Sequence, residues 1–291
     1  MTEAYAAADG LVRVYPARAP HGAGLVWAHG GAFAFGDLDM PEADAVARAL
    51  AARGTTVVSV DYRLAPVPAE WDADGGARAG HHYPAGSDDV LAAWSWTLEN
   101  ADRLRIDTGR LAIGGASAGG NLAAGAVLRL SGAGLGILPA LVVLAYPTLL
   151  AVQPAPDAAL RALLDANPDA DRFGPAAVLA MYENYLGGPV DDAPLASVPG
   201  RAHPADLDRF PPTLMINGEV DELRVSGEAF AASLRAAGRD VDVVTEPGTD
   251  HGHLNRPGEG AASVSLDRIA TRLAHLRTPS LASATTEGNT P

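Results

Sequence analysis

The stretch Ile113-Gly114-Gly115-Ala116-Ser117-Ala118-Gly119-Gly120-Asn121, IGGASAGGN, sets one serine among glycines and alanines, directly after the apolar run LAI and before a long alanine-rich segment. An apolar run, a knot of small residues and a helix-forming run in succession describe a tight strand-to-helix turn. Glycines two before and two after the serine let such a turn be sharp and lift the hydroxyl out as a nucleophile. The chain holds 32 glycines, so the same residues could serve only to let two backbones pack. The pentapeptide G-A-S-A-G does not decide alone, and the rest of the chain has to supply partners for the serine.

Outward from this turn, short β-rich runs alternate with helical ones. The runs are LVRVYP (11–16), GLVWAH (24–29), TTVVSV (55–60), RLAIGG (110–115), ALVVLAY (140–146), PTLMING (212–218) and DVDVVTE (240–246). Between them lie PEADAVARALAAR (41–53), with Pro41 in the first turn, and SDDVLAAWSWTLEN (87–100), with Ser87 as the expected N-cap. Continuously apolar strands separated by helices predict an α/β fold, a mostly parallel sheet with helices on both faces. The first two strands are too close for a crossover helix, so an antiparallel hairpin is expected at that edge. Residues 68–80, PAEWDADGGARAG, read as a surface excursion. Residues 148–210 hold helices at about 157–166 and 175–186 and no strand. The domain reading is therefore a core of 1–147 and 211–277, a lid inserted at 148–210, and a disordered tail at 278–291.

Composition narrows the chemistry. The 291 residues, 48% of them hydrophobic, suffice for one large core, and a formal charge of −14 argues against nucleic acid or an anionic membrane as partner. No apolar run is long enough for a transmembrane helix and the N-terminus lacks the pattern of a signal peptide, so a cytoplasmic protein is expected. Cysteine is absent, which excludes disulfides, thiolate nucleophiles and zinc–cysteine sites. All 21 basic residues are arginine. A Schiff base, a pyridoxal-phosphate anchor, a Walker A loop and a Ser-Lys dyad each need a lysine, and all are excluded.

A nucleophilic serine needs a base, an acid to hold the base, and donors for the oxyanion. After PTLMI comes NGEVDELR, in which Asp221 is the favoured acid and Glu219 the reserve; after VDVVTE comes PGTDHGHL, offering His251 and His253. The strand GLVWA runs into His29-Gly30-Gly31-Ala32. The amides of Gly30 and Gly31, unshielded by a Cβ, and that of Ala118 could converge on one oxygen. His251 and His253 form an H-x-H pair, but no third ligand with suitable spacing accompanies it, so neither metal nor cofactor is expected.

Taken together, HGGAFAFG (29–36), SVDYRLAP (59–66), YPAGSDDVLAA (83–93), GASAGGN (115–121), FPPTLMINGEVDELR (210–224) and GTDHGH (248–253) resemble the hormone-sensitive-lipase-like family of α/β-hydrolases, bacterial carboxylesterases with an H-G-G oxyanion motif. The resemblance covers about residues 25–255. It implies an α/β-hydrolase fold, Ser117 as nucleophile, Asp221 as acid and His251 as base, and Gly30, Gly31 and Ala118 as oxyanion positions. The activity it implies is hydrolysis of short-chain acyl esters through an acyl-enzyme, on a small-molecule substrate, with a homodimer compatible. The same triad would serve an amidase or peptidase, and a non-catalytic binding protein can use the same scaffold. Tyr62, Arg63 and Asp61 are expected to brace the oxyanion loop. Three departures stand out: Ala116 replaces the family's frequent Asp, only 28 residues precede His29 where a helical extension is common, and residues 68–80 look inserted. Half of the usual lid is therefore expected to be missing.

Overall fold

The computed structural model describes residues 3–72, 76–132 and 136–277; the tail expected at 278–291 lies outside them. Among these residues eight strands form one sheet: β1 (Tyr5–Ala7), β2 (Val12–Tyr15), β3 (Gly24–Ala28), β4 (Thr56–Val60), β5 (Leu111–Ala116), β6 (Val142–Ala145), β7 (Thr213–Val220) and β8 (Val241–Asp250). Their order is β1-β2-β4-β3-β5-β6-β7-β8. From β4 through β8 the neighbours are parallel, whereas β2 is antiparallel to both β1 and β4.

The helices are α1 (Pro41–Ala52), α2 (Ala85–Glu99), α3 (Ala101–Leu104), α4 (Ala118–Gly132), α5 (Ala158–Ala166), α6 (Pro175–Leu186), α7 (Arg224–Ala236) and α8 (Gly260–Ala274). Strand residues alternate between two cores, as the pleat requires. Leu25, Trp27, Val143 and Ile216 pack with Val46 and Leu50 of α1 and with Leu266 and Ile269 of α8. Val26, Val58, Ile113 and Leu144 pack on the other face with Trp94 of α2, Leu122 of α4 and Phe230 of α7. Burial on both faces is why these strands are continuously apolar.

Two local expectations are corrected. The runs 11–16 and 24–29 do not form a hairpin: β3, buried at all five residues, lies inside the sheet between β4 and β5. The linker passes below β4, where the Arg18 and His21 amides donate to the Ala51 and Gly54 carbonyls. The antiparallel edge partner is β1. Nor does Ser87 cap a helix, since α2 begins at Ala85 and the Ser87 hydroxyl accepts a hydrogen bond from the Arg129 guanidinium at 2.8 Å.

Residues 148–210 contain α5, whose first turn is capped by the Asp157 carboxylate on the Leu160 amide at 2.8 Å, and α6, which ends at Gly187 in the left-handed region. Short 3-10 turns follow at 195–197, 199–201 and 204–207. Val198, Ala202 and Leu207 from these turns belong to the same core as α4 and α7. The last third of the segment is thus built into the main body.

Candidate active site

The question raised by IGGASAGGN has a steric answer. A Cβ on Gly115 would lie 2.3 Å from the Gly119 carbonyl oxygen, and one on Gly119 would lie 2.2 Å from that of Ala28. Strand β5, the start of α4 and the end of β3 touch backbone to backbone, and only glycine permits it. Ser117 sits at the apex with φ 51°, a strained conformation for a residue with a side chain. The turn is held by the Ser117 amide on the Ala145 carbonyl at 2.9 Å and the Thr148 amide on the Ser117 carbonyl at 3.3 Å.

Two further strand ends bring side chains to this turn. Asp221, fully buried just past β7, has Oδ2 2.8 Å from Nδ1 of His251, while its Oδ1 accepts the Leu223 amide at 3.0 Å. His251, just past β8, has Nε2 2.9 Å from the Ser117 hydroxyl. An acceptor-only carboxylate at Nδ1 fixes the tautomer: Nδ1 carries the proton and Nε2 is left to accept one. The ring is held by Tyr146, edge-on at 5.0 Å between centroids, and by Phe173 at 4.4 Å. Phe173 comes from the 148–210 segment, and its carbonyl accepts the Gln153 side-chain amide at 2.9 Å.

The alternatives lie elsewhere. The Glu219 carboxylate accepts the Gly248 amide at 2.8 Å and so pins the loop ahead of the histidines. His253 is buried, with Nε2 2.8 Å from the Ser265 hydroxyl, and burial followed by Arg256 pushes its pKa down to about 4. Among the described residues no group of three His, Asp or Glu side chains could hold a metal ion. No helix there is long and apolar enough to cross a membrane.

Near the serine, the amides of Gly31 and Ala118 make no hydrogen bond among the described residues, and neither does that of Ala32. Gly30 requires a correction, because its amide donates to Glu42 Oε1 at 2.6 Å and is closed to any other oxygen. The Tyr62 hydroxyl donates to the carbonyls of His29 at 2.9 Å and Gly30 at 3.3 Å, and its ring stacks on that of His29 at 4.5 Å, so it braces this loop. Arg63 instead forks onto Asp89 of α2. From the 68–80 excursion, Arg78 donates to the Ala34 carbonyl and lies 5.9 Å from the Phe35 ring centroid. Ala32 lies inside the glycine-paired loop that the sequence singles out, whereas Glu42 and Phe173 have no signature there: an acid in a first helical turn reads as a solvated partner of the helix dipole, and a lone loop aromatic points nowhere.

A family model described as alpha/beta hydrolase fold matches residues 25–255. Carboxylesterase NlhH of Mycobacterium tuberculosis is 38% identical over 235 residues, 79% of this chain and 66% of the relative. Ethyl acetate hydrolase of Pseudomonas putida is 33% identical over 239 residues, 79% of this chain and 65% of the relative. Among solved structures, esterase LipW from Mycobacterium marinum superposes with a TM-score of 0.72 at 29% identity, covering 94% of this chain and 80% of that one. The matched stretch thus spans about two thirds of the length of the curated relatives.

Proposed function

This chain belongs to the α/β-hydrolase fold family, and from that premise we propose that it is a serine carboxylesterase acting on short-chain acyl esters. Ser117 Oγ attacks the acyl carbon as His251 Nε2 takes its proton, and Asp221 stabilises the imidazolium that results. The carbonyl electrons move onto oxygen, which the amides of Gly31, Ala32 and Ala118 receive. Collapse expels the alcohol, protonated by His251, and leaves Ser117 acylated. A water molecule then repeats the sequence and releases the carboxylic acid. The single observation that carries this reading is the unbroken relay from Ser117 through His251 to Asp221, at 2.9 Å and 2.8 Å.

Residues 148–210 act in this proposal as the lid, with Phe173 packed against the His251 ring. The relatives' names speak of esters, and one of them of ethyl acetate. The reading is of a cytoplasmic enzyme that takes a small ester and uses neither metal nor cofactor. The test is Ser117→Ala, which removes only a hydroxyl from a turn already flanked by alanines. Hydrolysis of nitrophenyl butyrate should fall about 10⁴-fold or more at unchanged melting temperature. Near-normal turnover would sink the assignment, and faster cleavage of anilides than of esters in wild type would replace it with an amidase.

A further inference from the structure

Glu42 is 2% exposed although it lies in the first turn of α1, where an acid ordinarily faces water. Its two oxygens take three donors from three separate loops. Oε1 accepts the Gly30 amide at 2.6 Å, and Oε2 accepts the Tyr146 hydroxyl at 2.8 Å and the Asn255 side-chain amide at 2.9 Å. Asn255 returns the contact, its Oδ1 accepting the Glu42 amide at 3.2 Å. Burial, and then Glu42 itself, push the Tyr146 phenol well above its ordinary pKa, so it donates.

These three loops are the ones that surround the relay. Gly30 begins the oxyanion loop, Tyr146 is the residue whose ring edge meets His251, and Asn255 closes the turn that carries His251. The space that a Gly30 side chain would fill is 2.4 Å from Glu42 Oε1 and 3.0 Å from Ser117 Cβ, so Gly30 borders both the carboxylate and the serine. The Gly30 carbonyl is held on the opposite count by the Tyr62 hydroxyl at 3.3 Å and the His29 ring at 2.7 Å. A trans peptide points its N–H away from its C=O. With the Gly30 amide fixed by Glu42 and its carbonyl fixed by His29 and Tyr62, the Gly31 N–H has one direction left.

We propose that Glu42 is a positioning residue of this site, its buried carboxylate locking the oxyanion loop through Gly30 and the His251 loop through Tyr146 and Asn255 into one mutual register. This rests on the esterase reading. The neutral isostere exposes the requirement: glutamine offers one acceptor oxygen and one NH₂, so in either orientation at least one of the three donors meets another donor.

The experiment compares wild type, Glu42→Gln and Tyr146→Phe on nitrophenyl butyrate, with kcat, KM, melting temperature and the inhibition constant of a trifluoromethyl ketone that forms a tetrahedral adduct. Glu42→Gln should lower kcat by about 10- to 100-fold while KM stays within about threefold, and should weaken the ketone by the factor lost from kcat/KM. Tyr146→Phe, which leaves Gly30 held, should lose several-fold in kcat. Unchanged kcat in a folded Glu42→Gln, or a fall in melting temperature with the ketone's affinity intact, overturns the positioning role. If Glu42→Gln does not fold, Tyr146→Phe and Asn255→Ala carry the test, and unaltered kcat in both overturns it equally. Fluorophosphonate labelling of Ser117 separates the two levels. Labelled, hydrolytic wild type with an unaffected Glu42→Gln defeats this inference alone, whereas wild type that neither labels nor hydrolyses esters defeats the reading beneath it.

Discussion

The loops that end β5, β7 and β8 and the segment 148–210 both reach His251, yet they are held there by different forces. Ser117, Asp221 and His251 each follow a strand within a parallel ladder, and backbone bonds such as Ser117 to Ala145 continue the ladder into the turn. Phe173 reaches the same ring from a stretch with no strand, anchored by side chains: Gln153 on its carbonyl, and Arg161 clamping Asp171 at 2.5 Å two residues earlier. Ladder bonds open only with the sheet, while part-exposed side-chain clamps such as Arg161 with Asp171 add little stability. On the proposed mechanism the sheet carries the chemistry, and residues 148–210 supply Phe173 beside it.

Substitutions should divide along that line. On the sheet side, Asp221→Asn should cost about 10⁴-fold in kcat, because an amide no longer fixes the His251 tautomer, whereas Glu219→Gln, at a carboxylate that accepts the Gly248 amide, should stay within a few-fold. Steady-state kinetics of the pair would break the comparison if Glu219→Gln were the worse.

Behind the relay, His253 should register in stability and not in chemistry. Its pKa in the fold, about 4, lies below the ordinary 6.5. The unfolded chain therefore binds the proton first, and the stability this residue contributes is complete above pH 6.5 and lost as pH falls toward 4. The full shift corresponds to about 3 kcal/mol. Urea midpoints between pH 7 and 4.5 should fall steeply in wild type and less steeply in His253→Gln.

The smallest effect belongs to the inserted segment. Phe173→Ala removes a ring from the His251 face and should change kcat/KM by about tenfold or less, mostly through KM and more for aryl than for methyl esters. A loss comparable to that of Asp221→Asn would erase the distinction between the two regions.

The same distinction governs what could be read from the chain alone. The inner strands announce themselves because both of their faces are buried, and the serine and the acid, placed after two such runs, can be recognised by position, whereas His251 follows the edge strand β8. β1, three residues of Tyr-Ala-Ala on the sheet edge with little burial, has no apolar run to betray it. Strand neighbours are equally silent: the β-rich runs say that β2 and β3 are strands, and nothing in them says that β4 lies between them. The Gly30 amide reads as open because the residue that closes it, Glu42, is twelve positions away in an unremarkable helical turn. Burial of one carboxylate is a tertiary fact without a local signature.

The strand order has one more consequence, for the growing chain. From β5 onward each new strand is added beside the one before it, so sheet growth and synthesis run in the same direction. The turn bearing Ser117 and the Glu42 bonds to Gly30 and Tyr146 use residues made before Asp221 and His251, and only the Asn255 bond to Glu42 comes after them. On the proposed mechanism, the serine is without a base until β7 and β8 dock, and ester hydrolysis cannot begin before then. Appearance of hydrolysis during refolding should accordingly mark the arrival of the last strand and not the collapse of the core.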